Sequence, residues 1–359
     1  MKITINGVPY EVAPGQTLLH AAHKLGINIP SLCDHPDLTP YGGCRLCDVE
    51  IKGGRVPMAA CSMMVSEGME VQTETPDLVE ARRYLLELLL SNYHDSGYPS
   101  SHPSELQELC ARYGVAIAPH SRTEPRYPVD SDPNPFVWVD LNKCILCTRC
   151  IRACGEIQGR KVWGLSQRGF KSRLTAGADT TMLEARCESC GACAAYCPTG
   201  ALDHRLFMRA GQPDRRVTTT CSYCGVGCNF DLLVRDDKVI GVDSNPHAAV
   251  NGMALCVKGR YGFDYIHHPD RLLKPRVRRY LLEGGPKRRE GPAWDWIETD
   301  WDTALDLTAG RLRAARDTSG PDSLGILTSA KCSNEENYLM NKFARQVIGT
   351  HNIDHCARL

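Results

Sequence analysis

The sequence predicts an α+β multidomain protein of 359 residues. Three observations lead to this fold class: an alternating pair of short strands at the start, closely spaced groups of cysteines, and a strand–loop–helix pattern near the end. The length is sufficient for two or three ordinary domains. The 19 cysteines indicate what kind of domains to expect, because they fall into tight groups instead of scattering as packing cysteines do.

Composition excludes two classes of partner. The 42 basic residues balance 42 acidic ones, so no long-range field favours nucleic acid or an anionic membrane surface. The most apolar run, YLLELLL, is too short to span a bilayer, and MKITINGVPY lacks the apolar core of an export signal. We therefore expect no nucleic-acid partner, no membrane span and a cytoplasmic location. Thiols stay reduced there, so the cysteine groups indicate metal binding instead of disulfides.

The first cysteine group has the spacing C-x10-C-x2-C-x13-C and comprises Cys33, Cys44, Cys47 and Cys61. Before it, KITINGVPYEV alternates around Asn-Gly, which predicts a two-residue hairpin, and TLLHAAHKLG predicts a helix capped by Thr17 and ended by Gly26. Hairpin, helix and cysteine loop together resemble a β-grasp ferredoxin over residues 1–76, as in the complex I G subunit. The resemblance implies one 2Fe–2S cluster, since iron prefers sulfur ligands. A zinc site is the alternative.

Residues 77–135 are predicted to be helical, beginning with PDLVEARRYLLELLLSN. In proteins that this region resembles, one histidine and three cysteines follow and bind a 4Fe–4S cluster. His94 and Asp95 occupy the histidine position and its neighbour, but the expected cysteines are replaced by Ser96, Pro99 and Ser104. Because serine is a poor cluster ligand and proline is none, we predict no cluster here.

Residues 136–212 contain two C-x2-C-x2-C-x3-C runs, CILCTRCIRAC and CESCGACAAYC. This is the pattern of bacterial two-cluster ferredoxins, in which the fourth cysteine of each run ligates the cluster of the other run. We therefore predict one 4Fe–4S cluster on Cys144, Cys147, Cys150 and Cys197. We predict a second on Cys187, Cys190, Cys193 and Cys154. Zinc is the weaker alternative, because zinc sites do not need eight thiolates in register.

Residues 213–272 contain CSYCGVGC and a later CVKG, which supply Cys221, Cys224, Cys228 and Cys256. The spacing resembles the 4Fe–4S domain of molybdenum or tungsten bis-pterin oxidoreductases. The resemblance implies a third 4Fe–4S cluster, and it gives Lys258 a role in passing electrons between that cluster and the pterin. An ordinary solvated lysine is the alternative. Three cysteines are left over and are expected to be packing residues: Cys110, Cys332 and Cys356.

Residues 273–359 are predicted to begin an α/β domain. The basic run RLLKPRVRRYLLEGGPKRREGP predicts a solvated linker. The next segment, DWDTALDLTAGRLRAARD, predicts an amphipathic helix, and DSLGILTS predicts a short buried strand. A helix follows, with a capping box from Ser333 to Glu336. Anionic ligands bind where such a strand meets a helix N-terminus, so Asn334 and Glu335 are candidate pterin contacts. Capping of the helix by these two residues is the alternative.

The stretch TSAKCSNEENYLMNKFARQVIGTHNIDHCARL is similar to the alpha subunits of molybdenum formate dehydrogenases of the NAD-linked cytosolic type. The resemblance implies oxidation of formate to carbon dioxide at molybdenum or tungsten held by bis-molybdopterin guanine dinucleotide. It also implies partner subunits that carry iron–sulfur clusters and bind flavin and NAD. In that family DHCAR and one apolar residue precede the metal-binding cysteine or selenocysteine. We therefore expect a selenocysteine codon directly after Leu359, and an inactive isolated fragment.

Three other functions share parts of this pattern. The main alternative is an electron-transfer subunit like the complex I G subunit, with no catalysis of its own. An iron-only hydrogenase shares the ferredoxin-like clusters, but its catalytic cysteines should stand where CSYCGVGC does. A nitrate reductase of the same superfamily is distinguished by the residues that follow Leu359. The sequence does not distinguish molybdenum from tungsten.

Overall fold

The computed structural model describes residues 1–284 and 291–356 of the chain. Its contacts divide the chain into two compact units. The first unit comprises Met1–Arg215 and Met253–Tyr261, and the second comprises Arg216–Gly252 and Gly262–Leu359. In the part of the chain that is described, none of the helices has the length and hydropathy that a bilayer crossing requires.

The first unit begins with the predicted hairpin of strands β1 (Lys2–Ile5) and β2 (Val8–Glu11), paired antiparallel. Asn6 and Gly7 join them with φ of 52° and 81°, the positive values that a two-residue type I′ turn needs at both positions. The hairpin prediction is confirmed.

Helix α1 (Leu18–Lys24) follows, and Thr17 caps it by accepting the backbone N–H of His20 at 3.3 Å. Gly26, with φ of 78°, lies just past its end, so the predicted start and end are both confirmed.

Three further strands complete a mixed five-stranded sheet. They are β3 (Asp48–Ile51), β4 (Met58–Ala59) and β5 (Glu70–Gln72), and the strand order is β2-β1-β5-β3-β4 with β1 and β5 parallel. Helix α1 shares a hydrophobic core with this sheet, and two cysteines of the first group belong to the same core. The cysteine loop is therefore anchored directly to a packed sheet.

Helices α2 (Pro76–Leu90), α3 (Glu105–Tyr113) and α4 (Ile117–His120) form the predicted helical segment. Their shared core contains Leu86, Leu90 and Leu106, all fully buried, and Cys110 at 1% exposure. The expectation that Cys110 is a buried packing thiol is confirmed.

The two-run cysteine region folds around the antiparallel pair β6 (Val137–Val139) and β9 (Leu202–His204). Helix α5 (Arg149–Arg152) passes directly into a π-helix (Ala153–Ile157), and the insert between the runs forms the hairpin β7 (Trp163–Ser166) and β8 (Arg173–Ala176). Helices α6 (Ala192–Ala195) and α7 (Val257–Tyr261) complete the unit.

A three-stranded sheet follows, with strands β10 (Arg215–Thr220), β11 (Asn229–Arg235) and β12 (Lys238–Ser244), and all of it after Arg215 belongs to the second unit. Strands β13 (Arg276–Arg278) and β14 (Trp296–Glu298) pair antiparallel, and helix α8 (Arg279–Glu283) follows β13.

The prediction of a solvated linker in the basic run is therefore wrong for its first half, because that half contains a strand and a helix. The Arg278 guanidinium lies 4.4 Å from the ring centroid of Trp294 and 4.0 Å from that of Trp296, which supports the strand pair. Residues 285–290 of the run lie outside the described residues.

The α/β part contains α9 (Trp301–Ser319), β15 (Ile326–Thr328), α10 (Asn334–Lys342) and β16 (Ile353–His355). A π-helix (Phe343–Ile348) continues α10. The apolar face of the predicted amphipathic helix α9, formed by Ala304, Leu307, Leu312 and Ala315, is half-buried. Strand β15 exists as predicted and pairs in parallel with β16.

The prediction that β15 is buried is wrong, because Leu327 in its centre is 85% exposed. A two-stranded sheet has too little surface to bury both of its faces.

Candidate functional site: four groups of cysteines

The first group converges in the dry interior of the N-terminal sheet region. Cys33, Cys47 and Cys61 are fully buried and Cys44 is 7% exposed. The backbone N–H of Cys44 donates to Cys33 Sγ at 3.5 Å, and the Cys61 thiol is within hydrogen-bonding reach of both Cys33 and Cys47. The structure therefore brings the four predicted ligands together.

Crowding makes these thiols hard to ionise in the absence of a positive charge. The hydrogen bond with Cys33, together with burial, raises the pKa of Cys44 well above its ordinary value. At Cys61, hydrogen bonding with Cys33 lowers the pKa, but the bond with Cys47 and burial outweigh it and raise the pKa to about 11. Four thiolates are stable in such a site only if a cation neutralises them, so this donor set fits an iron–sulfur cluster.

The second group joins the first three cysteines of one run to the last cysteine of the other. The nearby Cys197 side chain contributes to raising the pKa of each of Cys144, Cys147 and Cys150. Burial is the larger cause, and together these effects raise the pKa of Cys144 to about 12. All four line one small apolar cavity.

The third group forms in the same crossed manner. Burial raises the pKa of Cys187, Cys190 and Cys193, and for each of them the nearby Cys154 side chain is a further cause. Cys154 belongs to the π-helix Ala153–Ile157, and its Sγ accepts the backbone N–H of Val162 at 3.3 Å. Both crossed sets predicted from the sequence are therefore assembled in the first unit.

The two runs repeat one backbone conformation that sequence reasoning did not foresee. Leu146 and Thr148 in the first run have φ of 55° and 59°, and Ser189 and Gly191 at the equivalent positions of the second have 55° and 73°. This conformation turns backbone N–H groups toward the thiols. The N–H of Ser189 donates to Cys187 Sγ at 3.3 Å, and the N–H groups of Leu146, Arg149 and Ala192 donate to the cysteines two residues before them. The only sequence signal of this is the repeated x2 spacing.

Gly191 is also required for close packing against helix α7. A Cβ atom at Gly191 would lie 2.2 Å from Tyr261 Oη and 2.5 Å from Arg260 Cδ. Arg260 is fully buried, and its Nε donates to the carbonyl of Cys190 at 2.9 Å. Helix α7, which directly follows Cys256 and carries Lys258, is thereby fixed onto the Cys190 loop.

The fourth group is divided between the two units. Cys221, Cys224 and Cys228 lie in one loop of the second unit, where the N–H of Cys221 donates to the carbonyl of Cys228 at 2.8 Å. Cys256 belongs to the first unit and has an exposed side chain. Lys258 is exposed as well. The common role of these residues stays a prediction.

The candidate pterin contacts lie beside this loop within the second unit. Asn334 and Glu335 are both exposed, and Asn334 Nδ2 donates to the carbonyl of Gly225 at 2.9 Å. The cap is made by other residues. Ser333 Oγ accepts the backbone N–H of Glu336 at 3.2 Å, and the Glu336 carboxylate accepts the backbone N–H of Ser333 at 2.7 Å. The capping box is confirmed, and the alternative that Asn334 and Glu335 merely cap the helix is wrong.

The remaining two cysteines do not share one environment. Cys332 is half-buried, but Cys356 is exposed, so the expectation of a packing role is wrong for Cys356. The Ser329 hydroxyl lies 3.4 Å from Cys356 Sγ, and this hydrogen bond lowers the pKa of the thiol. Strand β16 ends just before Cys356 and does not reach a core. Ala357, Arg358 and Leu359, including the predicted metal-ligand junction, lie outside the described residues.

The serine-rich segment 94–104 is held by hydrogen bonds to buried carboxylates. Ser96 Oγ donates to Asp140 Oδ2 and Ser100 Oγ to Asp203 Oδ2, both at 2.7 Å. Ser104 caps helix α3, and a ring nitrogen of His94 lies 2.9 Å from the carbonyl of Arg122. The absence of a cluster here stays a prediction.

Single metal ions are a separate question from clusters. Among residues 1–284 and 291–356, no three His, Cys, Asp or Glu side chains are close enough to share one ion. A cluster distributes its thiolates over several irons, so this finding concerns zinc-like sites only.

Four family descriptions match consecutive parts of the chain. Residues 1–76 match a 2Fe-2S iron-sulfur cluster binding domain, and residues 134–203 match the ferredoxin-like domain of NADH-quinone oxidoreductase subunit 3. Residues 214–268 match the Fe4S4 domain of molybdopterin oxidoreductases, and residues 271–359 match the molybdopterin oxidoreductase domain that follows.

Curated relatives match the chain over almost its whole length. A probable oxidoreductase, YjgC, of Bacillus subtilis is 30% identical over 99% of this chain and 39% of its own. The alpha subunit of an NADPH-Fe(3+) oxidoreductase of Geobacter sulfurreducens is 35% identical over 100% of this chain and 40% of its own length. A putative formate dehydrogenase of Staphylococcus aureus is 29% identical over 99% of this chain and 39% of its own length.

A solved structure agrees with these matches. A chain from the crystal structure of an NAD+-reducing [NiFe]-hydrogenase is 33% identical, with a TM-score of 0.52 over 57% of this chain and 87% of that one. Consecutive parts of the chain thus match the iron–sulfur and pterin domains of molybdopterin oxidoreductases, and the chain is homologous to the YjgC-type and putative formate dehydrogenase proteins. It spans about two fifths of the length of the curated relatives that it matches.

Proposed function

We propose that this chain is the electron-transferring N-terminal part of the catalytic subunit of a molybdenum- or tungsten-dependent formate dehydrogenase. One observation carries the electron-transfer half of the proposal. Three complete sets of four cysteines, each predicted from spacing, come together in the first unit with their thiols buried or half-buried and close to one another.

The proposed cofactors are one 2Fe–2S cluster on the Cys33 set and three 4Fe–4S clusters. The 4Fe–4S clusters are assigned to the Cys144 set, the Cys187 set and the set of Cys221, Cys224, Cys228 and Cys256. Bis-molybdopterin guanine dinucleotide with molybdenum or tungsten is assigned to the domain that begins in residues 271–359. When bound, these groups supply one-electron transfer and the two-electron oxidation of formate to carbon dioxide.

The residues of the chain contribute placement and tuning. Thiolates supply the negative charge that iron requires, and backbone N–H donors such as that of Ser189 partly neutralise the sulfur atoms, which affects reduction potential. Burial excludes water from the Cys33 set and limits its access to the Cys144 and Cys187 sets. Lys258 is proposed to lie between the fourth cluster and the pterin, and Asn334 and Glu335 are proposed to contact the pterin dinucleotide.

Formate as the substrate rests on resemblance. The Staphylococcus aureus relative is named a putative formate dehydrogenase, and the stretch from Thr328 to Leu359 is similar to formate dehydrogenases. The proposed partners are flavin- and NAD-binding iron–sulfur subunits. The NADH-quinone oxidoreductase match and the NAD+-reducing hydrogenase chain support such a multisubunit complex. Cytoplasmic location stays a prediction.

The same two matches favour the second candidate, an electron-transfer subunit like the complex I G subunit with no catalysis of its own. The discriminating experiment is anaerobic assay of the complete native protein with formate and an artificial dye acceptor. Formate-dependent dye reduction that is lost when the pterin is absent supports the formate dehydrogenase. Full cluster content with no activity on formate would support the second candidate.

Lys258 provides a residue-level test. We expect Lys258→Ala in the complete protein to slow formate oxidation by about ten- to a hundredfold while the iron content stays unchanged. Lys171→Ala, which changes another exposed lysine, is the matched control and should behave like the unaltered protein. Unchanged turnover in Lys258→Ala would return Lys258 to the role of an ordinary solvated lysine.

A further inference from the structure

The ten residues between Cys33 and Cys44 form a segment, called the strap (residues 34–43), that packs on the ferredoxin-like part of the first unit. Leu38 in its centre is 4% exposed and shares a small core with Ala153 and Tyr196. Ala153 directly precedes Cys154, and Tyr196 directly precedes Cys197. The strap therefore reaches from the Cys33 set to the backbone beside both crossed sets.

Polar contacts hold the strap in this position. The backbone N–H and the hydroxyl of Thr39 donate to the carboxylate of Glu156 at 2.8 and 2.6 Å. The Tyr196 hydroxyl donates to Asp37 Oδ2 at 2.9 Å. The ring of His35 meets that of Tyr196 edge-on at 4.6 Å between centroids. Hence the long x10 gap in the first cysteine group has a structural use, because its residues make these contacts with the ferredoxin-like part.

One side chain joins the two ligand loops directly. The Arg152 guanidinium donates from one nitrogen to the carbonyl of Cys33 and, at 3.1 Å, to the carbonyl of Cys147. Its other terminal nitrogen donates to the carbonyl of Thr39, and its Nε lies 3.3 Å from Thr148 Oγ1. A planar guanidinium can make these bonds at once, whereas the single ammonium of lysine cannot.

We propose that Arg152 and the strap form the electron-transfer contact between the Cys33 set and the Cys144 set. Arg152 is a positioning residue: it fixes the separation of the two ligand loops and links one ligand cysteine of each by hydrogen bonds through a single guanidinium. This inference rests on the proposed function, because it requires clusters at both sets.

The contact serves a step that balances simply. One electron leaves the reduced centre of one set and reduces the oxidised centre of the other, and no bond or proton changes hands. The positive charge of Arg152 lies on the backbone of both ligand loops, so it favours the reduced form of both centres. In this arrangement the Cys33 set exchanges electrons with the Cys144 set.

The test uses the full 359-residue chain, reconstituted anaerobically with iron and sulfide. Arg152→Gln removes the positive charge and most of the guanidinium hydrogen bonds, whereas Arg152→Lys keeps the charge but not those bonds. Arg168→Gln changes an exposed arginine of the same domain and is the control. One electron per chain is injected photochemically, and rapid-freeze EPR follows the arrival of the electron at the 2Fe–2S centre. Iron content and the EPR signals at full reduction are measured first.

We expect Arg152→Gln and Arg152→Lys to slow the transfer by about ten- to a hundredfold, with iron content preserved and Arg168→Gln unaffected. Transfer as fast as in the unaltered chain in both Arg152 variants would overturn the proposal. If Arg152→Gln loses iron, the transfer rate in Arg152→Lys alone decides whether the proposal stands. Absence of the 2Fe–2S and 4Fe–4S signals from the unaltered chain would instead refute the proposed function.

Discussion

The two units of this chain use cysteine and apolar side chains in opposite ways. In the first unit, cysteines are part of the hydrophobic cores: Cys47 and Cys61 belong to the core of the N-terminal sheet, and Cys150, Cys154 and Cys193 to that of the ferredoxin-like region. In the second unit, helix α9 and helix α10 have no fully buried residue. The first unit is packed around its sites, whereas the α/β part of the second leaves its apolar faces half-buried or exposed.

The comparison shows what each unit depends on for stability. Groups of buried thiols cannot ionise together without a cation, so the fold of the first unit and the binding of iron are coupled. The second unit relies on local signals such as the capping box at Ser333, which act within one helix and need no cofactor.

The largest expected effect is that of iron removal. Preparing the chain without iron should cost the first unit most of its free energy of unfolding, because the binding energy of iron at three thiol sets is then absent from the folded state. Limited proteolysis followed by mass spectrometry measures this, with the reconstituted chain as the control. We expect new cleavage in residues 1–215 and unchanged cleavage in α9 and α10. Identical digestion of both preparations would contradict the coupling of fold and metal.

The next effect concerns the packing of the Cys190 loop against α7. Gly191→Ala must adopt φ of 73° and place a Cβ 2.2 Å from Tyr261 Oη, so we expect a loss of about 2–5 kcal/mol in the free energy of unfolding. Gly159→Ala is the matched control, with φ of 67° and open space, and should lose about 1–2 kcal/mol. Denaturant unfolding of the reconstituted chain compares them. Equal losses would show that the close approach of α7 is not rigid.

The smallest effect is expected in the second unit. Leu327→Ala removes a side chain that is 85% exposed, so the free energy of unfolding should change by less than about 0.5 kcal/mol. Leu174→Ala in the first unit, at 3% exposure, should cost about 2–5 kcal/mol in the same denaturant experiment. A large loss in Leu327→Ala would mean that β15 is covered in solution, and the contrast between the units would then disappear.

The sequence was most informative where chemistry requires fixed spacing. The crossed assignment of Cys154 and Cys197 to opposite sets could be predicted, because the repeated C-x2-C-x2-C-x3-C pattern has one known geometry. The hairpin at Asn6–Gly7 and the helix ends at Thr17 and Gly26 were predictable for a similar reason, since each depends on local backbone preferences.

Features that depend on distant contacts could not be predicted. Nothing local in the sequence indicates that Arg152 reaches the carbonyl of Cys33 or that Leu38 packs on Tyr196, because these pairs are more than a hundred residues apart. The apolar run around Leu327 indicates a buried strand but not what covers it, because such a run reads alike on a covered strand and on an exposed one. The strand pair at Arg278 was missed because its stabilising tryptophans lie beyond the basic run.

The most direct test of the central claim, that sixteen cysteines hold four clusters, is iron analysis of the anaerobically reconstituted chain. One 2Fe–2S and three 4Fe–4S clusters require about fourteen irons per chain. Cys197→Ala and Cys154→Ala should each lose about four irons, from different 4Fe–4S clusters, and Cys110→Ala should lose none. A value near eighteen would mean that the serine-rich segment also holds a cluster, and a value near zero with zinc bound instead would contradict the account.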